Sequence, residues 1–253
     1  MCIRDSINDM AVEMCKLSLW LATLAKGKPF SFLDHSIRHG DSLLGITELS
    51  ELEGLRLGND DVRSPFGSDA VYRQIQKALD LRGDLLGMPT VDARDIEEKS
   101  RLFERAQDEL SAAIVLADAL VGAYLSTAGA GGSERDSRIA MLADSARELF
   151  ETEDVDADQL EELRNRSLFW LDEGRPPMAP PRVPLHWPLA FPEVFQEGRK
   201  RFDGTVSNPP FLGGKKSLVR LGRTTASCSC LLSQRPRKVM PTLLPTFSYE
   251  PAL

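Results

Sequence analysis

Apolar residues at helical spacing fill the middle of the chain, from about residue 68 to residue 172. They form four successive stripes that repeat at intervals of three and four residues, the period of one face of an α-helix. The stripes comprise Val71, Ile75, Ala78 and Leu79; Leu102, Phe103, Ala106, Leu110, Ile114, Ala117 and Val121; Ile139, Leu142, Ala146 and Leu149; and Leu160, Leu163 and Leu168. This pattern predicts a helical block with a packed core and assigns it no chemistry. AGAGGSERDS at 128–137 predicts a flexible connection between two of the helices.

The N-terminal region predicts one helix followed by short apolar segments. INDMAVEMCKLSLWLATLA at 7–25 has helical periodicity, and Asn8 or Asp9 can cap its start. Its predicted apolar face comprises Val12, Cys15, Leu19 and Ala22, widened by Leu17, Trp20, Leu21 and Leu24. The following FSFLDHSIRHGDSLLGI predicts a short buried strand near 31–34, a turn, and an apolar piece that ends at Gly45.

A proline-dense segment, GRPPMAPPRVPLHWP at 174–188, follows the helical stretch. Proline cannot sit in a helix interior or a central strand, because it lacks the backbone donor that both need. The segment therefore predicts an extended crossing that returns the chain from the helical block. A short strand is predicted beyond it, at 203–207.

Composition sets limits on the class of protein. The chain has 253 residues, 42% of them hydrophobic and 27% charged, with a net charge of −7, which is typical of a soluble globular protein with one large domain or two small ones. No run of eighteen apolar residues and no secretion signal is present, so we expect no membrane span. The irregular cysteine spacing predicts neither disulfides nor zinc binding and favours the cytoplasm. His35, His39 and His186 have no metal-ligand spacing, so they are expected to be structural or exposed.

The most distinctive motif is FDGTVSNPPFLGGKK at 202–216. Asn208 follows an apolar strand candidate, and two prolines and an aromatic residue come next. This combination is compositionally rare, at well under about one chance occurrence in a hundred chains of this length. Active sites of open α/β sheets lie at the carboxyl ends of strands, where the motif would stand.

The groups in this motif suit the activation of an amine. An exocyclic amine of a nucleobase is a poor nucleophile because its lone pair is delocalised into the ring. Two acceptors aimed at its hydrogens, the Asn208 side-chain oxygen and the Pro209 carbonyl, would localise that lone pair as the nitrogen attacks a methyl donor. Pro209 and Pro210 fix the backbone, so the acceptors need no ordering on binding. Phe211 can stack on a base that has left the duplex.

NPPF after FDGTVS resembles the catalytic motif of adenine-N6 DNA methyltransferases. Four segments, AVEMCKLSLWLATL, PFSFLDHSIRHGDSLLG, HWPLAFPEVF and FDGTVSNPPFLGGKK, also occur in the order found in the large single-chain methyltransferases of restriction-modification and phage-defence systems. In that family a helical insertion separates the GDSLLG strand from the NPP strand, which matches the helical stretch predicted here. The resemblance covers about residues 7–216.

The resemblance implies an α/β fold, namely a partial class I (Rossmann-like) methyltransferase core interrupted by a large helical insertion. It implies a site-specific enzyme that transfers a methyl group from S-adenosylmethionine to N6 of a flipped adenine in double-stranded DNA, without a metal. It also allows a restriction or phage-defence partner. By motif match, the catalytic and base-holding residues would be Asn208, Pro209, Pro210 and Phe211. Asp41, with Ser42, would bind the cofactor near its adenine and accept a hydrogen bond from the amino group.

The start of the sequence departs from the family. A glycine-rich cofactor loop of the type Asp-Pro-x-Cys-Gly-x-Gly should precede the first helix and is absent. An acidic residue that holds the cofactor ribose normally ends the next strand, and its place falls at about Ser6. The opening MCIRDS looks like translated non-native sequence. We therefore expect a reading frame that is truncated at the front.

The tail after Lys216 departs as well. Residues 217–253 have no clear periodicity and carry Cys228 and Cys230. Codons can be chosen so that a neighbouring frame reads ISGALG, DYRELLV and GNADLVAYFFLRAR, which resembles the family's sequence after NPPFLGGKK. The two lysines encode an adenine run, where a base is readily dropped. We expect the tail to be an unstructured frameshift product, and the polypeptide to be inactive and poorly stable by itself.

These inferences divide the chain into a partial methyltransferase core at 7–47, a helical insertion at 48–180, a return segment with the NPPF strand at 181–216, and the tail at 217–253. Two other functions stay open. Methyltransferases that act on an amine or amide of RNA or protein share the Asn-Pro-Pro-aromatic motif, although the long helical insertion matches the restriction-type enzymes better. The helical stretch at 68–172 could instead be a non-catalytic module that binds DNA or a partner.

Overall fold

The computed structural model describes residues 4–22, 33–57, 69–128, 132–151, 155–195 and 202. The Asn208–Phe211 motif, the strand expected at 203–207 and the tail at 217–253 lie outside the described residues. Within them the protein combines a small parallel sheet with a larger set of helices. In this coarse sense the protein contains both the helices and the sheet of an α/β fold.

A β–α–β unit opens the described part of the chain. Strand β1 (Arg4–Ser6), helix α1 (Asp9–Ala22) and strand β2 (Ile37–His39) follow one another. The two strands pair in parallel, with Ser6 opposite His39. Parallel strands require a crossover connection, and α1 lies within it. The helix predicted at 7–25 is thus present over Asp9–Ala22.

The prediction of a strand near 31–34 was wrong for residues 33 and 34, the part of that range that the structure describes. Leu33 and Asp34 lie in a loop and a turn, and the strand is β2, three residues further on. Arg38 and His39 have little intrinsic strand preference, so local sequence did not predict β2. Pairing with β1 stabilises this strand instead. Just beyond β2, the backbone N–H of Gly40 donates to the Ser6 carbonyl at 2.9 Å.

Helix α1 turns an unexpected face towards the sheet. Val12 and Lys16 are its buried residues, one turn apart. The Lys16 ammonium is held at 2.6 Å by the carboxylates of Glu13 and Asp34, which explains how a lysine occupies this position. Of the predicted face, Val12 is buried and Cys15 is half-buried, whereas the prediction was wrong for Leu19 and Ala22, which are exposed.

The opposite side of α1 is apolar and exposed. It carries a row of side chains at alternating intervals of three and four residues, exposed by 49% to 70%: Ile7, Met10, Met14, Leu17 and Leu21. We call this row the α1 stripe. A helix with apolar residues on two faces is usually covered on both.

Helices α2 (Leu49–Glu53), α3 (Asp69–Gly87), α4 (Ala93–Ser126), α5 (Gly132–Leu149) and α6 (Ala157–Asp172) follow. We call α3–α6 the helical block. The predicted stripes of α3 and α5 are buried throughout, and that of α4 is buried or half-buried throughout. In α6 the prediction was wrong for Leu168, which is 56% exposed, while Trp170 and Leu171 are buried in its place.

The long helix α4 is the centre of the helical block and contacts α3, α5 and α6. Gly122 permits the closest approach, since a Cβ there would stand 2.9 Å from the Cβ of Trp170 on α6. By length and composition α4 could cross a membrane, but 72% of its apolar stretch is buried inside the protein. One such helix is weak evidence for a membrane span, because the core helix of a soluble protein has the same composition.

The helices of the block begin at clear signals. The Asp92 side chain accepts hydrogen bonds from the first-turn N–H groups of α4, and Asp95 reciprocates as a capping box. The Asp156 side chain likewise accepts hydrogen bonds from two first-turn N–H groups of α6. Helix α5 begins at Gly132, so the flexible connection predicted at 128–137 was too long.

The chain then returns to the sheet without a helix until α7 (Trp187–Ala190), which a 3₁₀ turn follows at Pro192–Val194. The proline-dense segment is non-helical over 174–186, as its composition predicts, and its last two residues, Trp187 and Pro188, open α7. A bidentate ion pair fastens the returning chain to the helical block, with the Glu193 carboxylate on the Arg82 guanidinium of α3 at 2.7 and 3.0 Å.

Candidate functional site

The carboxyl ends of β1 and β2 lie side by side, because the strands are parallel and in register. Ser6 ends β1, and the chain leaves β2 through Gly40 and Asp41. Ligand sites in open parallel sheets lie beyond such strand ends. This edge is therefore the candidate functional site in the described part of the chain.

The returning chain docks in parallel against Asp41. The Asp41 backbone N–H donates to the Val183 carbonyl at 2.7 Å, and its carbonyl accepts from the N–H of Leu185 at 3.1 Å. Pro184 lies between Val183 and Leu185. Its missing backbone N–H costs no hydrogen bond there, because both bonds to Asp41 are made by Val183 and Leu185. The segment around residue 184 thus extends the sheet next to the candidate site.

Two glycines make this docking possible. Gly40 has a φ of 148°, a conformation that side chains rarely adopt, and Leu185 packs over it. A Cβ at Gly45 would overlap the carbonyl oxygen of Leu185. The glycines of the HGDSLLG segment are therefore explained by the chain that crosses them.

The Asp41 side chain is fixed in a local turn. Its Oδ1 accepts a hydrogen bond from the backbone N–H of Leu43 at 2.9 Å. Burial raises the pKa of the Asp41 carboxyl, and the Leu43 hydrogen bond opposes that rise in pKa. Ser42 is half-buried beside it. The structure thus shows Asp41 in the role of a turn residue at a strand end, with one carboxylate oxygen not hydrogen-bonded within the described chain.

His186 joins the returning chain to both of its neighbours. Its Nδ1 accepts from the backbone N–H of Ile46 at 3.2 Å, so Nε2 carries the proton that is donated to the Asp118 carboxylate of α4 at 3.0 Å. The ring is buried, and its role is structural, as the sequence predicts. In the ranges that the structure describes, no group of three His, Cys, Asp or Glu side chains could hold a metal.

An aromatic cluster ends the described chain. The Phe202 ring centre lies 5.2 Å from that of Trp187, 5.7 Å from that of Phe195 and 6.3 Å from that of Phe191, in edge-to-face geometry. Phe202 opens the FDGTVSNPPF motif, so this packing fixes the residue from which the motif departs. Asn208, Pro209, Pro210 and Phe211 lie outside the described residues.

The described residues fit only one end of the cofactor that the family resemblance implies. Asp41 offers a carboxylate for an adenine amine. At the end of β1, however, Ser6 offers a hydroxyl in place of the carboxylate expected there for ribose hydroxyls, and this hydroxyl accepts the backbone N–H of Asn8 at 3.2 Å. Asp41 and Ser42 also do not line the cavity that lies between α1, β2 and α4.

A second group of polar residues lies away from Asp41, where β2 faces α3 and α4. Arg38 and Arg82 both approach the ring of Phe103, with guanidinium carbons 4.9 and 5.7 Å from its centre. A cavity of about 290 Å³ adjoins Arg38, between α1, β2, α4 and the returning chain. Sequence reasoning missed this group, because its hydrogen bonds join residues 69 and 111 positions apart, without a local signal.

Comparisons with known proteins give no relatives: no family model, no curated protein and no solved structure matches the chain.

Proposed function

We propose that the chain carries part of the core of an S-adenosylmethionine-dependent DNA methyltransferase that methylates N6 of adenine. One observation supports this proposal most: a parallel β–α–β unit whose Asp41 edge is met by a returning chain that leads directly into FDGTVSNPPF. Catalytic residues of open parallel sheets are found at such edges. In this proposal the sequence motif supplies the chemistry and acts at the Asp41 edge.

In this proposal the Asn208 side-chain oxygen and the Pro209 carbonyl accept hydrogen bonds from the adenine amine, while Pro210 holds the turn and Phe211 stacks on the flipped base. S-adenosylmethionine, when bound, supplies the methyl group. Asp41 and Ser42 would hold its adenine end. Double-stranded DNA as substrate, a cytoplasmic location and a restriction or phage-defence partner enter through the family resemblance alone.

The serine at the end of β1 bears on activity. A carboxylate at Ser6 would bind two ribose hydroxyls, whereas the serine hydroxyl already accepts from Asn8. We therefore expect the 253-residue polypeptide to bind S-adenosylmethionine weakly and to methylate no DNA by itself. Methylation of adenine by this polypeptide alone would contradict the expectation.

The test begins with the locus. Sequencing both sides of the reading frame, expressing the frame that the locus defines, and quantifying N6-methyladenosine in digested duplex DNA by mass spectrometry would test the reaction. We expect Asn208→Ala to lower the rate of methyl transfer by at least about 100-fold. Removal of one preorganised hydrogen-bonding group from an active site typically lowers kcat by a factor of about 10²–10³. Asn165→Ala, on the exposed face of α6, is the matched control and should change nothing.

The same assay separates the alternatives. Methyl transfer to RNA or to a protein amide, with none to DNA, would favour a related enzyme with another substrate. Full methylation by Asn208→Ala would remove the catalytic role of the motif. DNA binding without methylation would favour the non-catalytic module, an alternative supported by the large core that α3–α6 build around α4.

A further inference from the structure

Helix α1 has an apolar face that points into solvent. Met10, Met14, Leu17 and Leu21 follow one another at intervals of four, three and four residues, and each is 49% to 70% exposed. Apolar residues at these intervals form the seam of a coiled coil, where two helices bury them against each other. Ile7, the fifth residue of the α1 stripe, lies just before the helix and is 63% exposed. The stripe therefore has the pattern of a helix-packing surface.

The residues beside the α1 stripe allow another helix to come close. Ala11 and Ser18 lie seven residues apart on one flank of the stripe, and both are exposed. Small side chains at a contact shorten the distance between two helix axes. The Ser18 hydroxyl already donates to the Met14 carbonyl of its own helix at 2.7 Å, so its burial leaves no unsatisfied donor. Neither flanking side chain is charged, so covering them removes no charge from water.

The charges of α1 indicate the kind of partner. Helices that bind membrane surfaces and sites that bind nucleic acids present lysine and arginine to solvent. The lysine of α1, Lys16, is instead buried on the opposite side of the helix and paired with Glu13 and Asp34. The exposed charges of α1 are acidic, at Asp9 and Glu13. An uncharged seam fits another apolar helix best, and a second copy of the chain supplies one with the same spacing.

The exposed area of the α1 stripe meets the lower limit for a specific contact between two copies. A leucine-sized side chain exposed to this degree offers about 100 Å² of apolar surface. The five residues of the stripe on two copies would therefore bury about 1,000 Å² together, and the flanking residues add to that area. Because interfaces of this size are weak, we expect a dissociation constant in the micromolar range.

From these observations we propose that two copies of the chain form a dimer through their α1 helices, which pack antiparallel about a two-fold axis near Met14. In this arrangement Met10 of each copy faces Leu17 of the other copy. Antiparallel packing keeps the acidic residues Asp9 and Glu13 of the two copies apart, whereas parallel packing would bring them side by side. It also places the two helix dipoles in opposite directions. The dimer does not depend on the proposed methyl transfer.

The experiment is sedimentation equilibrium of the full chain over a concentration series that spans the micromolar range. We expect the wild-type chain to pass from monomer to dimer as its concentration rises. Met10→Glu and Leu17→Lys should each weaken the dimer at least about tenfold, because each variant places a charge against an apolar residue of the other copy.

A mixture of the Met10→Glu and Leu17→Lys chains tests the antiparallel arrangement. In a mixed antiparallel dimer the new carboxylate lies opposite the new ammonium, and the second contact between positions 10 and 17 remains as in the wild type. The mixture should therefore recover most of the affinity that each variant loses alone. In a parallel dimer each position faces itself, so a mixture that does not recover would overturn the antiparallel arrangement.

Two controls separate a dimer contact from a folding contact. Leu86→Lys, at an exposed position of α3, should dimerise as the wild type does. Thermal unfolding of monomeric samples, followed by circular dichroism, should give the same midpoint for the wild type and for both α1 variants. A large drop in that midpoint would show that the chain itself covers the stripe and would overturn the proposal. A wild-type chain that stays monomeric throughout the series would overturn it as well, and binding of that monomer to phosphatidylcholine vesicles would assign the stripe to a lipid surface.

Discussion

The helical block and the β–α–β unit bury their apolar residues differently. In the block, α4 lies at the centre of one continuous core that includes residues from α3, α5 and α6. In the β–α–β unit, α1 buries Val12 and Lys16 and leaves the α1 stripe exposed. The difference teaches that the block is held mainly by its own helices, with Leu44, Ile46 and Leu189 joining its core, whereas the unit depends on partners that lie far away.

The returning chain provides several of those distant partners. It pairs with Asp41, accepts the Ile46 N–H on His186, and binds Arg82 through Glu193. Weakening these contacts should loosen the sheet region and spare the helical block. Five changes test this comparison, in order of decreasing effect.

Glu193→Gln should have the largest effect. It leaves the buried Arg82 charge without its counterion, which typically costs about 3–5 kcal/mol. Urea unfolding followed by circular dichroism would measure the loss of stability, and limited proteolysis should cut the returning chain first. Glu161→Gln, in an exposed ion pair with Arg164 on α6, should cost less than about 1 kcal/mol. Equal effects of the two changes would contradict the importance of the buried pair.

Leu120→Ala should come next, with a loss of about 3 kcal/mol, because Leu120 is fully buried in α4 and its truncation leaves a cavity in the block. The cooperative helical signal in urea unfolding would report it. Leu168→Ala removes the same atoms from an exposed position on α6 and should cost under about 0.5 kcal/mol. A mild Leu120→Ala would mean that the block is loosely packed.

Gly45→Ala should cost about 2 kcal/mol, because the new Cβ must displace the Leu185 backbone. Hydrogen exchange at the Leu185 amide should accelerate while the α4 amides stay protected. Gly83→Ala, in α3 with open space around it, should instead stabilise by about 0.5–1 kcal/mol. If exchange at Leu185 is unaffected in Gly45→Ala, the proposed crossing of the two segments is wrong.

Asp41→Asn should stabilise the protein slightly at neutral pH. The folded state raises the pKa of the Asp41 carboxyl above its ordinary 3.8, so the folded state binds this proton more tightly than the unfolded state. The loss of folding stability that the charged Asp41 carboxylate causes in the wild type is absent below the ordinary pKa of 3.8. It develops as the pH rises through the folded-state pKa. Urea unfolding at about pH 3 and about pH 7 would measure it. A larger advantage of Asn at the acidic pH would contradict the sign.

Met14→Lys should have the smallest effect on stability, within about 0.5 kcal/mol, because the residue points into solvent. It should reduce self-association of the purified chain in sedimentation experiments, since it interrupts the α1 stripe. Met141→Lys, at a single exposed position on α5, is the control and should leave association unchanged. A strong loss of stability in Met14→Lys would show that the stripe is covered within the chain.

The helical block was largely predictable because its signals are local. Periodic apolar residues identify α3, α4 and α5, and the stripes that they predict are buried or half-buried. The pattern misplaces Leu168 because Trp170 and Leu171 continue the buried face of α6, so the predicted stripe follows the wrong row.

The sheet region and its polar residues were less predictable because their contacts are not local. Strand β2 contains Arg38 and His39, and only its pairing with β1 makes it a strand. Lys16 could not be recognised as buried without knowing that Asp34 would reach it. For the candidate site, the family resemblance singled out Asp41 as a cofactor-binding residue, but the sequence contained no sign that the returning chain would pair with it.

The hydrogen bond between Ile46 and His186 has a consequence for the order of folding. The two residues are 140 positions apart in the chain. Bringing such distant ends together costs loop entropy that an unfolded chain would have to bear before any contact forms. Helices built from local contacts can assemble first and shorten that loop to the span between the ends of the helical block. The hydrogen bond between Ile46 and His186 should therefore form late in folding. It should not form in a chain whose helical block has unfolded.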